Sequence, residues 1–252
     1  MFVLEVQAFL YIMVRITSFI VVVPGFSHKS LPNTSKVALS LVLSWLVYMN
    51  LSLSVVQENT VYFMLGAIRE TIIGLSMGFM AKLIFSAVEM AGQYIDFQVG
   101  YSMGAVFDPS SGNTSSYYGS LFYWISILVF FILNLHHTMI ISMIESFQLV
   151  SPGTVGFGSI NLEGVLYMFS HAFKIGFSLA APMLIVLLVT DIVMGLISRT
   201  VPQINVFMLG MPLKSLVGLI VFLLLITSLL NYAGKNLMLM DDFIQKSLEM
   251  FR

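Results

Sequence analysis

From Tyr62 to Gly104 the chain runs 43 residues without a proline, with charges only at Arg69, Glu70, Lys82, Glu89 and Asp96. As one α-helix at 1.5 Å per residue this run would measure ~65 Å, about twice the ~30 Å hydrocarbon core of a bilayer. The segment must therefore bend, fold back or leave the membrane. Further apolar stretches cover Phe2 to Val23, Val37 to Val56, Tyr117 to Leu133, Leu166 to Val201 and Leu213 to Tyr232, which makes six. Only 9% of the 252 residues are charged, against roughly 25% in an average soluble domain. The expected fold class is all-α, a multi-helix integral membrane protein with long, kinked helices and helical hairpins.

Glycine, proline and small polar residues punctuate these stretches. Pro24-Gly25 stops the first, and Lys29, Pro32 and Lys36 occupy a short loop. Asp108 to Ser116 (DPSSGNTSS) is a turn-rich loop, and Ser151 to Ser159 (SPGTVGFGS) is a second one. His136 to Phe147 is a short amphipathic segment. Pro182 kinks or breaks the stretch around it, and Pro202 to Pro212 is expected to be a tight connector. In the tail, Leu237, Met240, Ile244, Leu248 and Phe251 fall at helical spacing, so a short amphipathic helix is expected. Glu5 and Arg15 argue against a cleavable signal at the N-terminus.

Charge is where the sequence is most informative. Arg15, Arg69, Glu70, Lys82, Glu89, Lys174 and Asp191 lie in or beside apolar stretches, and left unpaired in lipid they would cost ~20 kcal/mol at ~3 kcal/mol each. They must be paired, wet, or buried against another chain. Lys82, Glu89 and Asp96 recur every seven residues and so share one helical face, either solvated or an interface. Gly74/Gly78 and Gly100/Gly104 are small-xxx-small pairs suited to close helix packing. The positive-inside rule contradicts itself: Lys29 and Lys36 put the first loop in the cytoplasm, and six spans would then put a tail with Lys235, Lys246 and Arg252 outside.

Several classes of chemistry find no footing. A net charge of -1 offers no basic excess for nucleic acid. With no cysteine and no metal-type spacing among His28, His136, His137 and His171, no metal site is expected. Nor does any phosphate loop, nucleophile elbow or acid/base carboxylate pair stand out, so neither an enzyme nor a cofactor is expected. A small secondary transporter with a broken-helix ion site at Lys174, Pro182 and Asp191 is the competing reading, against which stands the lack of an internal repeat.

Two long motifs carry a resemblance. Arg69 to Pro109 reads RETIIGLSMGF…LIFSAVEMAGQYIDFQVGYSMGAVFDP, and Arg199 to Lys214 reads RTVPQINVFMLGMPLK. Together with Arg15, Pro24, Pro32 and Lys36, they make the chain resemble the FliR/SctT family of type III secretion export-gate components, and its flagellar branch more than the injectisome branch. The resemblance implies one export-gate domain over 1–252, with a hairpin at 1–56, long helices and a plug loop (104–118) over 57–135, C-terminal helices at 136–232 and the tail at 233–252. It implies a helical, tapering assembly with FliP and FliQ, contacts to FlhB and FlhA, passage of unfolded flagellar polypeptides, and a place among inner-membrane lipid in the flagellar basal body. The implied plug residues are Met103, Gly104, Phe107, Asp108, Pro109, Ser110 and Gly112. The implied subunit interface comprises Arg69, Glu70, Gly74, Gly78, Lys82, Glu89, Asp96, Arg199, Pro202, Gln203, Asn205 and Lys214.

Overall fold

A computed structural model describes residues 2–28, 31–50, 59–101, 116–153, 162–201, 203, 206–249 and 251. The regular elements among them are helices: α1 (Phe2–Val22), α2 (Asn33–Asn50), α3 (Thr60–Val99), α4 (Tyr117–Ile132), α5 (Leu135–Leu149), α6 (Leu162–Thr200), α7 (Val206–Leu237) and α8 (Met240–Glu249). The all-α expectation holds. Four helices are long and apolar enough to cross a membrane, and α4 with α5, broken at Leu133–Asn134, would make a fifth span. The described part of α2 is not among them, its apolar stretch running on into residues outside the described ones, so five candidate crossings stand among the described residues. At the break Asn134 adopts a left-handed conformation (φ 54°), which asparagine tolerates better than most residues.

In three prolonged runs the structure narrows or corrects the sequence reading. The 40 residues of α3 form one uninterrupted helix, about 60 Å long, so folding back is excluded. Pro182 lies inside α6 without ending it; only the bond to the Ser178 carbonyl is forfeited, and the fixed φ of proline is itself helical. The expected connector up to Pro212 is shorter than its two prolines suggest, because α7 already begins at Val206 and includes Pro212. Lys214 and Ser215, immediately beyond, are both held by side-chain contacts described below, and packing overrides propensity there. Gly100 is not half of a packing pair either: α3 ends at Val99, and Gly100 follows at φ +101°, its N–H and that of Tyr101 both bonding the Asp96 carbonyl at 3.0 Å.

The chain divides into two compact units. Met1–Ile84, Asn134–Phe169 and Met238–Arg252 form the first, and Phe85–Leu133 with Ser170–Leu237 the second. In the first unit α1 runs parallel to the start of α3, at a distance only glycine permits. A Cβ at Gly74 would overlap Ser18 Oγ and the Arg15 carbonyl; one at Gly78 would lie 3.0 Å from the Phe19 carbonyl and from Val22 Cβ. Against α1 packs α2, which buries Ser40, Ser44 and Val47. Its two hydroxyls bond back to the Lys36 and Ser40 carbonyls (2.8 and 2.6 Å), so no donor is stranded. The tail helix α8 is amphipathic as expected: Met240, Phe243, Ile244 and Leu248 are buried, the helix packs on α5, and Asp241 accepts from Ser142 Oγ (2.6 Å). The second unit has its own core, in which Val88, Ile95, Tyr118, Phe122, Leu179, Met183, Leu187 and Phe222 are buried together.

Candidate functional site

Each unit is organised around a charged group in an apolar setting. In the first, Arg15 of α1 and Glu70 of α3 are both fully buried and meet at 2.5 Å (Nε to Oε2). The guanidinium is nearly saturated: Nη1 donates to the Ser146 carbonyl (3.0 Å) and hydroxyl (3.3 Å), and Nη2 to the Val150 carbonyl (2.9 Å). The Phe147 ring lies 4.3 Å below Cζ. Glu70 uses its other oxygen to accept from the Gly153 N–H (3.1 Å). One ion pair thereby joins α1, α3, the end of α5 and the turn after it, and its satisfied donors make so buried a charge tolerable. Next to Glu70, Arg69 is buried as well, and its Nη2 donates to the Phe251 carbonyl at 2.7 Å.

In the second unit the charge is Asp96, in the last turn of α3. Its carboxylate accepts from the Ser116 hydroxyl, from Tyr118 N–H (3.1 and 3.0 Å to its two oxygens) and from Gly119 N–H (3.4 Å). Ser116 is the N-cap of α4 and accepts from Gly119 N–H at 2.9 Å. An anion at a helix N-terminus satisfies orphan donors and opposes the helix dipole. Tyr101 completes the clamp: its ring is 5.2 Å from that of Tyr117, and its hydroxyl bonds Ser215 of α7. The chain therefore leaves at Tyr101 and returns at Ser116 through a fixed base. Gly92 is required here, since a Cβ would strike the Tyr118–Gly119 backbone. Nearby, Asp191 of α6 pairs with Lys214 of α7 (2.5 Å) and accepts from Gln98 Nε2 (2.8 Å), while Lys214 also donates to the Gln98 carbonyl (3.2 Å).

The residues singled out in the sequence thus separate into three groups. Arg69, Glu70, Gly74, Gly78, Asp96 and Lys214 make contacts within this chain. Lys82, Arg199 and Gln203 are exposed and Glu89 is half-buried. Met103, Gly104, Phe107, Asp108, Pro109, Ser110, Gly112, Pro202 and Asn205, like the loop lysine Lys29, lie outside the described residues. The heptad of Lys82, Glu89 and Asp96 does not stay on one kind of surface: the drift of ~20° per heptad carries it from exposed at Lys82 to buried at Asp96. Sequence reasoning required a partner for Arg15 and for Asp191 but did not assign one. Ser146 and Ser215 went unnoticed, being polar residue types with no spacing rule to mark them, and Ser116, Tyr101 and Gln98 were read as parts of the polar loop and the long motif without these contacts. No group of three or more His, Asp or Glu side chains able to hold a metal occurs among the described residues.

Long apolar helices pinned by buried, hydrogen-bonded charges define a multi-helix membrane protein. A family model described as bacterial export proteins, family 1, matches residues 6–240, and the chain belongs to that family. It is 32% identical over 220 residues to the flagellar biosynthetic protein FliR of Bacillus subtilis, covering 86% of this chain and 85% of that protein. A FliR of Buchnera aphidicola is 32% identical over 244 residues (95% and 92%). The secretion system apparatus protein SsaT of Salmonella typhimurium is 33% identical over 156 residues (62% and 60%). The resemblance read from the two long motifs is borne out.

Proposed function

We propose that this chain is the FliR-type subunit of a flagellar type III protein export gate in the bacterial inner membrane. It assembles there with FliP and FliQ into a channel for unfolded flagellar polypeptides, in contact with FlhB and FlhA. The wider coverage by the flagellar relatives than by SsaT favours the flagellar over the injectisome system. Five crossings would set the tail opposite the N-terminus, which agrees with Lys235, Lys246 and Arg252 on the cytoplasmic side.

The observation that carries the reading is the clamp at Tyr101, Asp96 and Ser116. A channel plug needs a segment that yields while its roots stay fixed, and this clamp ties both roots of the 104–118 loop to rigid helices. In this reading Phe107, with Met103 and Gly104 before it and Asp108, Pro109, Ser110 and Gly112 after it, obstructs the conduit at rest. Lys82, Glu89, Arg199, Pro202, Gln203 and Asn205 face neighbouring subunits. Deleting residues 110–115 while keeping Ser116 tests it. Ion leakage through membranes containing the assembled complex should rise with the complex still intact; unchanged leakage from an intact complex refutes the plug.

A further inference from the structure

At the end of α3 three helices of the second unit hold one another. With Gly100 turning away at φ +101°, the carbonyls of the last turn of α3 lose their regular helical donors. That of Asp96 accepts from the N–H groups of Gly100 and Tyr101 (3.0 Å each). That of Gln98 accepts from Lys214 Nζ of α7 at 3.2 Å, which sets a cation at the negative end of the α3 dipole. Lys214 also pairs with Asp191 of α6 (2.5 Å), and Asp191 accepts from Gln98 Nε2 (2.8 Å). Gln98, Asp191 and Lys214 therefore each bond both of the others, a closed ring with one member on each helix. The residue after Lys214, Ser215, bonds the Tyr101 hydroxyl. Two adjacent residues of α7 thus fix the last turn of α3 and, at Tyr101, the point from which the loop departs.

We propose that this ring is a latch: while it is closed α7 pins Tyr101, and the first root of the loop shifts only when it opens. Lys214 and Ser215 are then positioning residues for that root. The inference deepens the reading above, on which it rests only for its effect on leakage. Exposure separates this ion pair from the one in the first unit. Arg15 and Glu70 are 0% exposed, so parting them strands a charge among apolar side chains, whereas the side chains of Lys214 and Asp191 are 18% and 39% exposed. Solvent takes over either charge on opening, so the contact can open and close without a large penalty. The competing account is an ordinary ion pair that packs α6 on α7 and has no bearing on α3. Gln98 distinguishes the two, since it offers a donor to the acid and an acceptor to the base, and so reads which charge stands on which helix.

Hydrogen exchange at the Gly100 and Tyr101 amides, measured in the intact complex, reports opening of the latch. Lys214→Met should speed it about tenfold or more, as loss of a charge-assisted hydrogen bond implies, and Lys214→Arg should leave it near the parent rate. Gln98→Leu keeps the two charges paired, so folding is not at stake, and should speed exchange about fivefold. The decisive variant exchanges the charges, Asp191→Lys with Lys214→Asp. It preserves the attraction between α6 and α7 but sets a carboxylate against the Gln98 carbonyl and an ammonium against its Nε2. Its melting midpoint should return to that of the parent while exchange stays fast. Exchange restored together with melting, or unmoved in Lys214→Met and Gln98→Leu, overturns the latch. Faster exchange in Lys214→Met should bring greater ion leakage through membranes containing the complex; faster exchange without it upholds the latch and refutes the plug.

Discussion

Glu70→Ala is the sharpest test of what holds the first unit together. Truncation strands the fully buried Arg15 Nε and the Gly153 N–H in one step. Breaking a buried, hydrogen-bonded ion pair costs about 3–5 kcal/mol, comparable with the ~5–15 kcal/mol that keeps a typical protein folded. At about 2–4 °C per kcal/mol, melting should begin roughly 10 °C lower. The chain carries its own reporters: it has two tryptophans, Trp45 in the first unit, beside Phe9 (6.2 Å), and Trp124 in the second, beside Tyr123 (5.7 Å). Single-tryptophan variants, Trp124→Phe and Trp45→Phe, melted in mild detergent, read the two units separately. Glu70→Ala should lower the Trp45 transition more than the Trp124 transition. The double variant Arg15→Met, Glu70→Gln removes both charges while leaving an acceptor for Gly153, and should recover at least half of the loss. If the two single substitutions prove additive, or the Trp45 transition does not move, the pair is not the lock described here.

The glycines divide by what surrounds them. Gly74→Ala or Gly92→Ala should destabilise by about 1–3 kcal/mol, because a methyl meets the main chain, while Gly195→Ala, with nothing within 4 Å, should be neutral or stabilising by up to ~1 kcal/mol. Thermal midpoints of the three variants compared side by side decide the matter. Asp96→Ala removes the anion from the α4 N-terminus at a cost of about 1–2 kcal/mol. Limited proteolysis should then cut between Tyr101 and Ser116 faster than in the parent chain, and an unchanged rate would show that the clamp does not tether the loop.

How far the sequence could be read follows from which physical rule each element obeys. Apolar runs and their punctuation located α1, α4, α5 and the amphipathic α8 to within a few residues, because hydrophobic length and helical spacing are local properties. Pro212 misled for the same reason: a local rule assigns a connector, and only tertiary contacts, such as those of Lys214 and Ser215, show why the helix includes it, whereas at Pro182, where a kink or a break was expected, the break does not occur. For the polar sites, burial energetics demanded partners for Arg15, Glu70 and Asp191 but could not name them. The partners lie up to 135 residues away for Arg15 and 93 for Asp191, and several are main-chain atoms that no sequence pattern records. Gly74 and Gly78 were legible as packing residues; that they face α1 of the same chain was not.

Two of the four hydrogen bonds of Arg15 go to the polypeptide spine, at the carbonyls of Ser146 and Val150. Those two acceptors survive a change of side chain at either position, although Ser146 also lends its hydroxyl, provided the four-residue interval between them is kept. Losing or gaining one residue in that interval would misalign both acceptors at once and do more harm than almost any single replacement. Conservation in this corner of the protein should be sought in the count of residues as well as in their letters.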